Sequence, residues 1–231
     1  MVYHWLNRAR WHCTTDCILC GAATRLASGL CGACLADLPV NFPACPRCAL
    51  PLATHGNREC GQCQQRPPWY HSAFVPFRYS PPLPAFITGL KFNARLAHAR
   101  LLGILLRDAV LASGPPRPDC LLPVPLHPRR LRQRGFNQAL EIARPVANAI
   151  AVPILSQGIR RQRDTRPQSD LDARRRHSNL RNAFRIDTWP GYRHVAIVDD
   201  VITTGTTVNE LARVLKEAGV TTVQIWALAR A

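Results

Sequence analysis

Lysine is nearly absent from this 231-residue chain: Lys91 and Lys216 are the only two, so the other members of its 30 basic residues are arginine. Acids are scarce as well, 14 against those 30, which leaves a net charge of +16. Codon bias in a GC-rich genome explains arginine over lysine, and also favours Ala and Pro, but it does not explain so few acids. An arginine-rich surface suits phosphate or nucleic acid, because the guanidinium fork matches phosphate oxygens. No apolar run approaches membrane-spanning length, which excludes membrane insertion. The first twelve residues are aromatic and basic and carry no apolar run of signal-peptide length. A cytoplasmic protein is expected. The Gly-Lys-Thr ending of a Walker loop is missing too, which excludes that kind of nucleotide site. Between residues 13 and 66 large apolar side chains are too few to make a core of their own.

Cysteine, by contrast, is plentiful, and eight of the ten stand in four CxxC pairs: Cys17/Cys20, Cys31/Cys34, Cys45/Cys48 and Cys60/Cys63. In a cytoplasmic chain that spacing points to metal rather than disulfides. Each pair presents two thiolates from a tight knuckle, and two pairs complete a closed tetrahedral zinc site. Eight cysteines therefore predict about two structural zinc ions. Sequential pairing is simplest, and an interleaved cross-brace is the alternative. Metal would supply most of the folding free energy of this module. Thioredoxin-like redox chemistry is the lesser alternative, since no βαβ context surrounds the pairs. Cys13 and Cys120 fall outside the pattern, and Cys120 reads as a small buried hydrophobe.

The chain is organised around residues 195–207. Val195-Ala196-Ile197-Val198 reads as a buried parallel strand. Asp199 and Asp200 end it, and Thr203, Thr204, Gly205, Thr206 and Thr207 follow as a hydroxyl-rich turn. The next segment places Val208, Leu211, Ala212 and Leu215 on one helical face, with Gly219 as a stop. Helix-start N–H groups and threonine hydroxyls hold a phosphate, and Gly205 lets backbone approach it. The acid pair beside that cradle suits the vicinal hydroxyls of a sugar phosphate. The bland reading, two acids near a helix start where the macrodipole favours them, accounts for a bare Asp-Asp better than for the whole pattern.

Upstream, residues 64–70 with Pro67 and Pro68 read as the boundary between module and domain. Residues 73–79 form a strand that Pro76 confines to an edge or a bulge. Residues 83–111 read as two helical pieces joined near Asn93. Lys91 lies between them, either as a solvated helix residue or as a cation reaching a substrate phosphate. Residues 119–125 make a short apolar strand running through Pro123 and Pro125 into a basic loop with Arg129, Arg130, Arg132 and Arg134. Asn137 follows, and a helix begins near Ala139, with Pro145 expected to kink or interrupt it. Strand, rigid turn and arginines make a pyrophosphate site, the rival being a solvated basic loop. Residues 160–184 form a second basic region whose polar middle, residues 165–171 with Pro167, reads as a long loop of the kind that serves as a lid, and residues 178–184 lead back toward the sheet. Arg174, Arg175 and Arg176 within it also suit nucleic acid. Residues 222–228 close the chain as a strand, completing a βαβ unit.

At residues 195–207 the chain resembles the phosphoribosyl-pyrophosphate (PRPP) signature of type I phosphoribosyltransferases. The full order of motifs is similar to that of the ComF family of competence-associated proteins, also called the GntX type. That order is four CxxC pairs, Gly89-Leu90-Lys91-Phe92, Pro123-Val124-Pro125, Arg134-Gly135-Phe136-Asn137-Gln138, then Thr165, Gln168, Leu171, Arg176, Asn179, Leu180, Ala183 and Phe184. The resemblance implies an α/β fold of the type I phosphoribosyltransferase kind, residues 69–231, with a mainly parallel sheet flanked by helices. A small double zinc ribbon, residues 13–66, precedes it. It implies that Asp199 and Asp200 face the ribose hydroxyls and that Thr203 to Thr207 wrap the 5-phosphate. It also implies a lid carrying Thr165, Gln168, Arg176 and Asn179, and a link to DNA uptake.

The expected activity is Mg²⁺-dependent phosphoribosyl transfer from PRPP to an undetermined acceptor, with Mg²⁺ held largely by substrate oxygens and water. Asp199 and Asp200 are the candidate catalytic pair. A glutamine-dependent amidotransferase is not expected: its glutaminase uses an N-terminal cysteine, and here Val2 follows Met1. The rival class is a non-catalytic accessory protein that binds single-stranded DNA or senses PRPP. Trp5, Trp11, Trp69, Tyr70 and Phe136 near basic residues support it, and DNA-uptake or recombination proteins would then be partners.

Overall fold

The computed structural model of the chain describes residues 15–54, 58–93, 95–163 and 182–231. These fall into two compact units that divide between Leu38 and Pro39. The four expected lid residues, Thr165, Gln168, Arg176 and Asn179, lie outside the described residues, as do Trp5, Trp11 and Cys13.

The smaller unit is a metal-binding knuckle with very little else. Strands β1 (Thr15–Asp16) and β2 (Ala23–Thr24) pair antiparallel, and helix α1 (Gly32–Ala36) follows. Cys17 closes a tight turn: its carbonyl accepts from the N–H of Gly21 at 2.8 Å, and its N–H donates to Ala22 at 2.7 Å. Gly21 adopts φ +74° there, a conformation that a side chain disfavours. Cys31 caps α1, its sulfur accepting from the N–H of Cys34 at 3.5 Å.

The larger unit begins with the second pair of cysteine knuckles and helix α2 (Gly61–Gln65). Strands β3 (Ser72–Phe74) and β4 (Phe77–Arg78) run along the same edge of a sheet, broken at Pro76 as the missing N–H requires. Helices α3 (Leu83–Asn93) and α4 (Leu96–Ser113) are the two expected pieces. Then come β5 (Cys120–Pro123), α5 (Pro128–Arg134), α6 (Gln138–Ile150), β6 (Ile159–Arg161) and β7 (Phe184–Ile186). The chain ends with β8 (His194–Ile202), α7 (Thr206–Glu217) and β9 (Thr222–Arg230). The main sheet has the order β3-β9-β8-β5, with β4 also on β9, and every pairing in it is parallel. β6 and β7 form a separate antiparallel pair that brackets residues 162–183.

Burial follows the apolar pattern. Val195 to Val198 in β8 are completely buried, as are Leu211, Ala212 and Leu215 of α7. Helix α6 runs through Pro145 without interruption. Its neighbour α4 packs against it at that point: a Cβ on Gly103 would meet the Pro145 ring at 2.8 Å and the Ile142 carbonyl at 3.0 Å, so the two helices touch backbone to ring. Among the described residues no helix is long and apolar enough to cross a membrane.

The two cysteine groups differ in their packing. Cys45, Cys48, Cys60 and Cys63 belong to the same buried cluster as Val195, Ile197, Val223 and Ile225 of the sheet. As packed units, therefore, the second cysteine group goes with the α/β core, and Cys17, Cys20, Cys31 and Cys34 go with the smaller unit.

Candidate functional site

The site starts where β8 outruns β5: that pairing ends at Pro123 and Val198, while β8 stays paired with β9 through Ile202, so the strand continues past the two acids that the sequence places at its end. β8 lies centrally between β5 and β9, so its carboxyl end opens where the loops diverge, the usual place for ligands in α/β sheets. Asp199 and Asp200 stand there. Asp200 is 3 % exposed and Asp199 half-buried. Burial, and then the charge of Asp200 beside it, push the Asp199 carboxyl well above the usual carboxylate range. Lys91 offsets part of this charge: its Nζ stands 2.5 Å from Asp200 Oδ2, close enough for an ion pair although the alignment is not that of a hydrogen bond.

Beyond the acids the backbone turns at Gly205, φ +75°, and enters α7. A small open cavity of ≈ 40 Å³ forms here, lined by Asp199, Val201, Ile202 and residues 203–208. At roughly 10–15 Å³ per enclosed water, such a space admits a few oxygen-sized atoms. The Thr204 and Thr206 hydroxyls lie 2.8 Å apart at its rim. Gly205, the N-cap residue, offers no side-chain cap; the Thr206 N–H makes a long 3.4 Å contact to Thr204 Oγ1, and the N–H groups of Thr207 and Val208 in the same turn suit an anion.

The arginine run between Pro125 and Asn137 is a helix, α5, where the sequence predicts a basic loop. The signals for it are local. His127 caps the start by accepting from the Arg129 N–H at 3.3 Å, Pro128 fits the first turn, and Gly135 ends it at φ +78°. A helix separates its residues by face. Arg129 and Arg132 are exposed, and Arg130 and Arg134 are half-buried. Arg134 donates from Nη1 to Gln138 Oε1 at 2.9 Å and feels the charge of the acid pair. Burial lowers its pKa while the Asp200 and Asp199 charges raise it, and its guanidinium sits 5.9 Å over the Phe92 ring. Asn137 is engaged structurally: its Oδ1 accepts from the Ala139 N–H at 3.0 Å and its Nδ2 donates to the Val124 carbonyl at 3.1 Å. It thereby pins the turn after β5, which contains Pro125, to the start of α6. The acid pair, the threonine cradle, Lys91 and Arg134 thus converge.

The metal question is answered by sulfur geometry. Cys17, Cys20, Cys31 and Cys34 bring their sulfurs within 4.8 Å of one another, and so do Cys45, Cys48, Cys60 and Cys63. That is sequential pairing, with four thiols at the vertices of each site. Tetrahedral zinc at about 2.3 Å from each sulfur fits such a spacing. Backbone hydrogen bonding, led by Cys31, lowers Cys17 to about 6, whereas hydrogen bonding with Cys20 raises Cys34. In the second group burial pushes Cys48 up to about 11 and raises Cys63 further. Four sulfurs this close do not all ionise without a cation among them, and a divalent ion supplies that charge. Both groups fit structural zinc.

Sequence reasoning missed Arg230. This residue ends an otherwise apolar strand and is 7 % exposed. It donates from Nη1 to the Ile202 carbonyl at 3.0 Å and to the Thr203 carbonyl, at the base of the cradle. The only signal for it is an arginine closing Ala227-Leu228-Ala229.

Comparison with known proteins agrees with this geometry. The double zinc ribbon domain matches residues 11–64, and the phosphoribosyl transferase domain matches residues 137–231. The chain is 40 % identical over 219 residues to DNA utilization protein YhgH of Salmonella typhi, and 39 % identical over 219 residues to that of Escherichia coli strain K12. It is 35 % identical over 224 residues to competence protein F of Haemophilus influenzae. Each alignment covers 93 % of this chain and 96 % of the relative.

Proposed function

The chain belongs to the ComF family, that of competence protein F and DNA utilization protein YhgH, and we propose that it binds PRPP with Mg²⁺ and transfers the phosphoribosyl group in the service of DNA uptake or use. One observation carries this reading: a carboxylate pair at the end of β8 opens directly onto a threonine cradle at a helix start, with Lys91 and Arg134 facing the acids. Asp199 and Asp200 accept hydrogen bonds from the ribose 2- and 3-hydroxyls. Thr203, Thr204, Gly205, Thr206 and Thr207 hold the 5-phosphate. Arg129, Arg130, Arg132 and Arg134 stabilise departing pyrophosphate, with Lys91 as a further cation for substrate phosphate once it leaves Asp200. Residues 165–179 exclude water from the reacting carbon. The bound metal is held by substrate oxygens and water rather than by a dedicated protein cage. Free thiolates favour a reducing compartment, and a cytoplasmic location accords with that chemistry.

Calorimetry with PRPP and Mg²⁺ tests this reading. Asp199→Asn combined with Asp200→Asn removes two charge-assisted hydrogen bonds, worth about 1.5–3 kcal/mol each, so binding falls at least a hundredfold. Unchanged affinity in a folded double variant would falsify the ribose assignment.

A second reading concerns single-stranded DNA. Trp69 is 52 % exposed, so a base has a ring to stack on, whereas Tyr70 is 3 % exposed and unavailable.

A further inference from the structure

The second thiolate site and the phosphate cradle share a buried cation. The Arg230 guanidinium reaches both: Nε donates to the Cys48 carbonyl at 3.3 Å, and Nη1 donates to the Ile202 and Thr203 carbonyls and to the main-chain oxygen of Ala231. A buried guanidinium is costly unless negative charge stands nearby. Four thiolates around a divalent ion leave about two net negative charges, and Cys48 is one of the four residues concerned. Through the Cys48 carbonyl, Arg230 sets a positive charge beside that knuckle.

Its grip on the cradle has a geometric consequence. A trans peptide unit is planar, with C=O and N–H on opposite sides. Pinning the Ile202 and Thr203 carbonyls toward Arg230 therefore turns the N–H groups of Thr203 and Thr204 away from it. Two further contacts run from the same side. The Tyr70 hydroxyl oxygen lies 3.5 Å from where a Cβ on Gly205 would stand, and the Trp69 N–H donates to Asn209 Oδ1 at 2.7 Å in the first turn of α7.

We infer that Arg230 is a positioning residue that couples the second zinc site to the phosphate loop, holding the loop backbone in its anion-binding arrangement from the Cys48 knuckle behind it. This rests on the phosphate reading of residues 203–207.

The test uses the full chain loaded with zinc, in a Cys20→Ser background so that metal release reports on the second site. Arg230→Leu and Arg230→Lys are compared with the parent. Hydrogen exchange at amides 203–209 is measured, along with zinc release to a chelator and ribose 5-phosphate affinity by calorimetry. In Arg230→Leu loop exchange, zinc release and ribose 5-phosphate dissociation each rise about tenfold, as the loss of hydrogen bonds from a charged donor implies, while β8 core amides stay protected. Arg230→Lys keeps the charge and the fold, and its values fall between. Coupling is reciprocal, so both ends must respond. Loop exchange or zinc release unchanged in both variants overturns the inference. If the parent binds no ribose 5-phosphate while both rates respond to Arg230, the coupling stands and the phosphate reading falls.

Discussion

The two four-cysteine groups have the same local chemistry and different surroundings. In the first, Cys20 is exposed and only Cys17 is buried. Its unit has few buried apolar side chains, Leu30 and Leu38 among them. In the second, all four cysteines are buried and pack within the core of a parallel sheet. CxxC spacing specifies a metal knuckle, and the chain around it decides whether the knuckle is a free-standing clip or part of the core. One is the fold of its unit, and the other is a component of a larger fold with a site attached.

The sharpest way to break this comparison is to remove one ligand from each group. Structural zinc contributes about 10–16 kcal/mol in small modules, against a domain stability of about 5–15 kcal/mol. Cys63→Ser should therefore abolish cooperative melting of the larger unit, whereas Cys20→Ser should lose one zinc and leave that melt in place. Circular dichroism with metal analysis measures both. Equal damage from the two variants would erase the distinction.

Tyr70 extends the comparison from sulfur to packing. It belongs to the cluster that contains the second cysteine group, and burial followed by the Cys48 charge raises its pKa. Tyr70→Ala should cost about 3–5 kcal/mol, as large aromatic truncations do, and each kcal/mol lowers the melting temperature by about 2–4 °C. A melt unchanged in this variant would place the ring outside the core.

The larger unit also tolerates a destabilising feature, the acid pair. Asp199 is held above its ordinary value of 3.8, chiefly by burial. The folded state therefore binds its proton more tightly than the unfolded state. Stability is complete below 3.8 and is lost as pH rises through the folded value. Asp199→Asn escapes this loss. Its melting temperature should match wild type at low pH and exceed it by a growing margin toward neutrality, until the folded carboxyl is fully ionised. A melt series across pH in the absence of ligand checks the sign, and a less stable Asn variant at pH 8 would reverse it.

The smallest effect belongs to Trp69. Being exposed, its ring should leave the melt unchanged on Trp69→Ala. If it stacks on a base, single-stranded DNA affinity should fall about fivefold or more, since stacking is worth roughly 1–3 kcal/mol. A gel-shift titration at fixed salt decides this. Equal affinity would leave only diffuse attraction to the arginine excess, with its slope of about 0.7 log units per neutralised phosphate.

Much of this was legible in the residues, for physical reasons. β8 and α7 follow from an apolar run and a 3.6-residue period, both local signals. The break at Pro76 follows from its missing N–H. The thiolate grouping was open between sequential and interleaved, and geometry settles it as sequential. α5 is masked in the sequence by its run of arginines, which reads as a basic loop, although His127, Pro128 and Gly135 spell out a helix. Burial of the second cysteine group was not readable, because it depends on β8 and β9, far along the chain. Lys91 admitted two readings, and its place 2.5 Å from Asp200 became visible only once α3 was set against the sheet.

Arg230 also has a consequence in time. About 170 residues separate it from Cys63, and a ribosome adds roughly 5–20 residues per second. For some ten to thirty seconds the second set of thiols waits outside the core that will enclose it, lacking both β9 and its cation. Zinc present during synthesis therefore meets these thiols before the core packs around them.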